Sequence, residues 1–114
     1  SAMTSISSAS RIRDLNDAMR NTGISSGRWM MTAGVQALGP DAILLATRAV
    51  QAFSAFTDDN DPYGEHDFGA FDIEGQRMFW KIDYYDRDLR YGSNDPSDPS
   101  VTARVLTIML ASEY

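Results

Sequence analysis

The chain has 114 residues, 43% of them hydrophobic, a formal net charge of −6, a single histidine and no cysteine. That length holds one domain with a modest core, and two Trp, five Tyr and five Phe make it globular rather than disordered. Thiol catalysis, disulfides and cysteine-ligated zinc are excluded, and no run approaches the roughly 18 apolar residues that span a bilayer.

The charge is uneven. Residues 1–57 hold five Arg against three Asp, whereas residues 58–100 hold twelve acids against Arg77, Lys81, Arg87 and Arg90. Phosphate binding is driven by Lys and Arg releasing counterions, so an acidic middle argues against direct nucleic-acid or anionic-membrane binding. A partner that is itself basic fits it better. With no signal peptide legible, a cytoplasmic location is the expectation.

In chain order, "SA" before Met3 reads as a tag remnant and residues 1–9 as a flexible lead-in, leaving 10–114 as a single domain. "SRIRDLNDAMRNTG" predicts a first helix with Ser10 as cap, Ile12, Leu15, Ala18 and Met19 at helical spacing, and Gly23 as its end. "RWMMT" is a short strand candidate, and "TAGVQALGP" allows one helical turn. "PDAILLATRAVQAF" predicts a second full helix with Pro40 at its first position. Its apolar residues run nearly all the way round, which predicts burial on every side.

"HDFGAFDI" and "QRMFWKIDYY" flank Glu74-Gly75 as a two-residue hairpin turn. That turn pairs Ile73 with Gln76 and sets the register. Phe71 then opposes Met78, Gly69 opposes Trp80 and Asp67 opposes Ile82 on a core face. Asp72 opposes Arg77, Ala70 opposes Phe79, Phe68 opposes Lys81 and His66 opposes Asp83 on a half-exposed one. Trp80 needs the space a side chain at position 69 would fill. "DRDLRYGSNDPSDPS" is a loop, and "VTARVLTIMLASEY" predicts a last helix capped by Asp98, with Val101, Val105, Ile108 and Met109 along one stripe. Met30, Met31 and Met109 read as gap-filling core. The fold class is α+β: a small antiparallel sheet of about three strands with three helices on one face.

Several chemistries lack their parts. An EF-hand started at Asp59 gains Asp61 and Gly64 at its third and sixth positions, but Tyr63 and Ala70 fall where ligands are required. A looser divalent site built on Asp59, Asp61, Glu65 or Asp67 competes with an acidic turn fixed by Pro62 and Gly64. His66 beside Asp83 suits either a general base or a structural cross-strand pair. A lone histidine is poor for zinc, and no Gly-x-Ser-x-Gly elbow, Walker lysine or Gly-x-Gly-x-x-Gly run accompanies it. The aromatic–charge interleave "FWKIDYYDRDLRYG" lacks the positive groove of a nucleic-acid stacking platform. The pattern leans away from an enzyme and calls for no cofactor.

"DNDPYGEHDFGAF", "FWKIDYYD", "YGSNDPSDPSVT" and "RVLTIMLASEY" together resemble the domain of unknown function 3768 family of alphaproteobacteria, from about Arg11 to Tyr114. Members often sit on plasmids and other mobile elements, and the resemblance implies context without a catalytic residue. It fits a mobile-element inhibitor of anti-restriction or anti-CRISPR type, which presents carboxylates to a basic, nucleic-acid-binding protein. The surface would be Asp58, Asp59, Asp61, Glu65, Asp67, Asp86, Asp88, Asp95 and Asp98, with Tyr63 and Tyr91 as anchors. The alternatives are a metal-assisted hydrolase centred on His66 and Asp83, and an accessory assembly module of plasmid maintenance.

Overall fold

The computed structural model describes residues 7–26 and 28–114. Of the lead-in expected at residues 1–9, positions 1–6 lie outside the described residues. Helix α1 (Ser8–Thr22) starts earlier than expected: Ser7 is its cap, its hydroxyl accepting from the Ser10 amide at 3.1 Å, so Ser10 lies inside the first turn. It ends at Gly23, as anticipated. A 3-10 turn (Gly23–Ser26), strand β1 (Trp29–Met31) and the one-turn helix α2 (Ala33–Gln36) follow.

Helix α3 (Pro40–Ala52) has Pro40 in its first turn, where a missing amide is harmless, and Asp41 beside the positive end of the helix dipole. It is not buried all round. Ala42, Ala46, Thr47 and Val50 are buried, while Leu44 and Leu45 are 49% and 43% exposed. The sheet takes one face of the helix, and among the described residues nothing covers the other.

Strands β2 (Phe68–Ile73) and β3 (Gln76–Tyr85) form the expected hairpin in the expected register, from Ile73–Gln76 to Phe68–Lys81. Glu74 and Gly75 both have positive φ, +50° and +80°, the backbone of a tight turn matched to strand twist. The expected last helix is instead strand β4 (Ala103–Leu110). Its Val, Thr and Ile residues favour a pleated surface, and burial follows the two-residue period at Arg104, Leu106 and Ile108. The helical spacing of Val101, Val105, Ile108 and Met109 is therefore misleading. Position 101 lies in the loop, where Asp98 closes a turn rather than capping a helix.

β4 pairs antiparallel with β3 and parallel with β1, giving a four-stranded mixed sheet in the order β1-β4-β3-β2. The fold is α+β, with one strand more than expected. Met78, Trp80, Ile82, Leu106 and Ile108 meet Met19, Val35, Ala46 and Val50 in the core. Met31 packs against that core and Met109 is buried, but Met30 is 59% exposed.

Trp80 is fully buried beneath Gly69, its cross-strand partner. A Cβ at position 69 would lie 2.6 Å from the Phe53 ring and would also strike the Trp80 indole. The close approach of Phe53, at 5.5 Å between ring centroids, needs that bare backbone. Gly69→Ala is expected to destabilise the protein by about 1–3 kcal/mol, the range for overpacking a filled core. Urea denaturation followed by Trp fluorescence checks it, and an unchanged midpoint would show that the indole has room to move.

Candidate functional site

Because β2 and β3 are antiparallel, the segment entering β2 and the loop leaving β3 emerge at the same end of the sheet. All eleven residues expected at a partner surface lie in those two segments. Asp58, Asp59, Asp88 and Asp95 are exposed, as are Tyr63 at 79% and Tyr91 at 73%. Asp86 and Asp98 are half-buried.

Several of these carboxylates also shape the loop. Asp86 accepts from the Arg90 amide at 2.9 Å, Asp95 from the Ser97 amide and hydroxyl at 3.1 and 2.6 Å, and Asp98 from those of Ser100 at 2.9 and 2.7 Å. The Ser100 bonds hold the Asp98 carboxyl below its usual range. Among the described residues, none of Asp58, Asp59, Asp86, Asp88, Asp95 and Asp98 has a cation within 4 Å.

Three acids of the first segment turn inward. Asp61 is 8% exposed, and its Oδ1 accepts from the His66 amide at 3.1 Å. Glu65 accepts from the Tyr84 hydroxyl at 3.2 Å. Asp67 is half-buried, and its carboxyl is pushed up, first by burial and then by the nearby charge of Glu65, with Asp61 and Asp83 adding to it.

His66 does not oppose Asp83. Its φ of +56° carries the chain off the strand path, and the hairpin pairing stops at Phe68 with one further bond from the Ile82 amide to Asp67 at 2.9 Å. The ring turns to the helical side. There Nδ1 lies 2.9 Å from Asp17 Oδ1 and Nε2 lies 3.6 Å from Asp61 Oδ2. The Phe56 ring stacks on it at 3.7 Å, nearly parallel. Asp83 instead faces the open side of the sheet, 2.9 Å from Lys81 Nζ, and this bond raises the Lys81 pKa.

Asp17 belongs to a polar stripe on α1 that hydrophobic periodicity does not show. Asn16 is fully buried. Its amide donates to the Glu65 carbonyl at 3.0 Å and to the Tyr84 hydroxyl at 2.8 Å, and its oxygen accepts from Arg104 Nε at 2.8 Å. Arg20 bonds Asp17 at 2.8 Å and the Val50 and Phe53 carbonyls at 2.9 and 3.0 Å. It thereby satisfies carbonyls at the C-terminal end of α3. The only sequence signal was the placement of Asn16 and Arg20 on the same helix face as Ile12 and Met19.

Asp17, Arg20, Phe53, Phe56 and His66 border an open cleft of about 400 Å³. Its charged groups hold one another, with His66 flanked by the Asp17 and Asp61 carboxylates, and Ser54 also lines the cleft. Among the described residues, no group of three His, Asp or Glu is placed to hold a metal ion. The loose divalent set is dispersed, with Asp59 exposed, Asp61 against His66 and Glu65 against Tyr84.

A mixed sheet with helices on one face, closed by loops of this composition, defines a small α+β domain. The chain belongs to the family described as protein of unknown function (DUF3768), whose model matches residues 31–113. The match covers β1's last residue through the end of the final 3-10 turn (Ala111–Glu113) and leaves α1 outside. No curated protein and no solved structure matches the chain.

The raised Asp67 carboxyl sets a pH dependence. The folded protein keeps that proton to higher pH than the unfolded chain, whose value is near 3.8. Asp67 therefore lowers stability as pH climbs through the interval between the two values. Asp67→Asn is expected to stabilise the protein at pH 7, with the gain vanishing below pH 3.8. Thermal melts of both proteins across that range check it, and a pH-independent difference would contradict it.

Proposed function

We propose that this protein is a non-enzymatic interaction module whose acidic sheet end captures a basic, nucleic-acid-binding protein. The observation that carries the reading is topological. Two separate acidic segments emerge side by side, and six of their carboxylates have no cation partner among the described residues. Tyr63 and Tyr91 stand exposed in the same segments, offering apolar rings with a polar tip. The loop bonds of Asp86, Asp95 and Asp98 fix these carboxylates in place. Fixed charges of this kind steer a basic surface and lose little side-chain entropy on contact.

The finer form of the reading is an inhibitor of anti-restriction or anti-CRISPR type, encoded on a mobile element, occupying the surface where its target would hold phosphates. It works in the cytoplasm, where such enzymes act. The inward turn of Asp61 and Glu65 narrows the contact surface to Asp58, Asp59, Asp86, Asp88, Asp95 and Asp98. The hydrolase reading loses its centre, since His66 and Asp83 point to different sides of the sheet.

The test is capture from host lysate on immobilised protein, with bound proteins identified by mass spectrometry and then challenged with duplex DNA. A nucleic-acid enzyme should be retained, released by DNA or high salt, and lost with Asp58→Asn, Asp59→Asn, Asp86→Asn and Asp88→Asn combined. Equal retention by the variant, or indifference to DNA, would reject the reading.

The assembly-module reading retains one supporting observation. The open face of the sheet carries a cluster of Phe68, Phe79 and Tyr114, with centroids 5.3–6.2 Å apart, and an exposed Met30. If that face joins two copies, sedimentation will show a dimer that Phe79→Asp converts to monomer. A monomer at high micromolar concentration would remove this reading.

A further inference from the structure

A second charge pattern sits at the same end of the sheet and has the opposite sign. Arg28, Arg87 and Arg104 border an open cleft of about 310 Å³, walled on its apolar side by Leu15 and Met19 of α1. Three of the ten basic residues thus line one concavity in an acidic protein.

Arg104 is the informative member. It is 9% exposed, yet among the described residues no carboxylate lies within 4 Å of its guanidinium. Its partners are neutral: Asn16 Oδ1 at 2.8 Å, the Pro96 carbonyl, and the Tyr84 ring with its centroid 5.3 Å from the guanidinium carbon. Its Nη1 donates to none of the described residues. Burial shifts its pKa downward, with Tyr84 and Glu65 opposing that shift. A buried guanidinium with no carboxylate in direct contact gains when a further negative group comes to it.

The neighbouring groups are placed to share such an anion. Arg28 is held beside β4 by its own carbonyl, which accepts from the Leu106 amide at 2.9 Å. Neither Arg28 nor Arg87 has a carboxylate within 4 Å among the described residues. Ser26, which also lines the cleft, has a buried hydroxyl with no hydrogen-bond partner among the described residues. The Thr102 hydroxyl on the rim is already engaged, with the Asp95 carbonyl and Ser93.

We propose that this cleft binds a phosphate group, either inorganic phosphate or the phosphate of a small monoester, between Arg28, Arg87 and Arg104. Planar guanidinium forks match the oxygens of a tetrahedral anion better than ammonium groups do. The cleft is of a size that holds small molecules, and Leu15 and Met19 give an apolar surface for the organic part of an ester. The site goes beyond the acidic interaction surface and does not depend on it.

The test titrates the full chain with inorganic phosphate and, separately, with adenosine monophosphate at low ionic strength, by calorimetry and amide NMR. The expected result is saturable one-site binding that shifts the amides of Ser26, Arg28 and Arg104. Arg28→Gln combined with Arg87→Gln should weaken it at least tenfold while leaving the dispersion of the amide spectrum intact. If that pair fails to fold, the exposed Arg87→Gln alone carries the comparison, with a loss of at least threefold expected. Tighter binding of the nucleotide supports a monoester ligand, and equal binding supports free phosphate. No saturation by either probe at millimolar concentration, or unchanged affinity in the folded variant, would overturn the site.

Discussion

The Trp80 indole sets the distance between the two layers of this protein. It is buried from β3 into a box made by Gly69 of the adjacent strand, Phe53 and Phe56 after α3, and the Arg20 guanidinium of α1, 5.0 Å from its ring. Phe53 and Phe56 meet it edge-on, at 75° and 86°, which places positive ring edges against a negative face. Arg20 adds a cation over the same ring and then bonds the carbonyls that end α3. One side chain thus fixes β2, β3, α1 and α3 relative to each other. The chain between Phe53 and His66 has to follow a path that keeps both phenylalanines in the box.

The polar residues of α1 give the apolar packing its orientation. Asn16, Asp17 and Arg20 reach three different places: β3 and β4 through Tyr84 and Arg104, the acidic segment through His66, and the end of α3. An all-leucine face on α1 would allow the helix to slide or rotate over the sheet. Directional bonds in a low-dielectric interior penalise any such shift, because every displaced donor or acceptor would be left unpaired. The same network leaves Arg104 with neutral partners, so the stabilising framework also creates an unmatched positive charge beside the cleft.

Much of this was legible from local chemistry. The hairpin was readable down to individual pairs because Glu74-Gly75 permits one turn and a two-residue period leaves no other register. Pro40 and Gly23 marked helix boundaries for equally local reasons. β4 was misread because Val101, Val105, Ile108 and Met109 fit a helical stripe, while the decisive fact is a free edge of β3 distant in sequence. His66 was misplaced for a related reason. Extending the strand pattern two residues too far gave it Asp83, whereas Asp17, 49 positions away, is its partner. Long-range polar pairs leave no periodicity to read, and the candidate site is built largely from them.

β4 is the last strand in sequence, yet it lies inside the sheet between β1 and β3. During synthesis, β1 has no strand to pair with until residues near Leu106 have cleared the ribosome, some 75 residues later. Until then β2 and β3 form a hairpin alone, which is marginal in water, and Trp80 and Ile82 lie on a strand whose other edge is unpaired. A nascent chain in that state presents an apolar strand edge to its neighbours on a polysome.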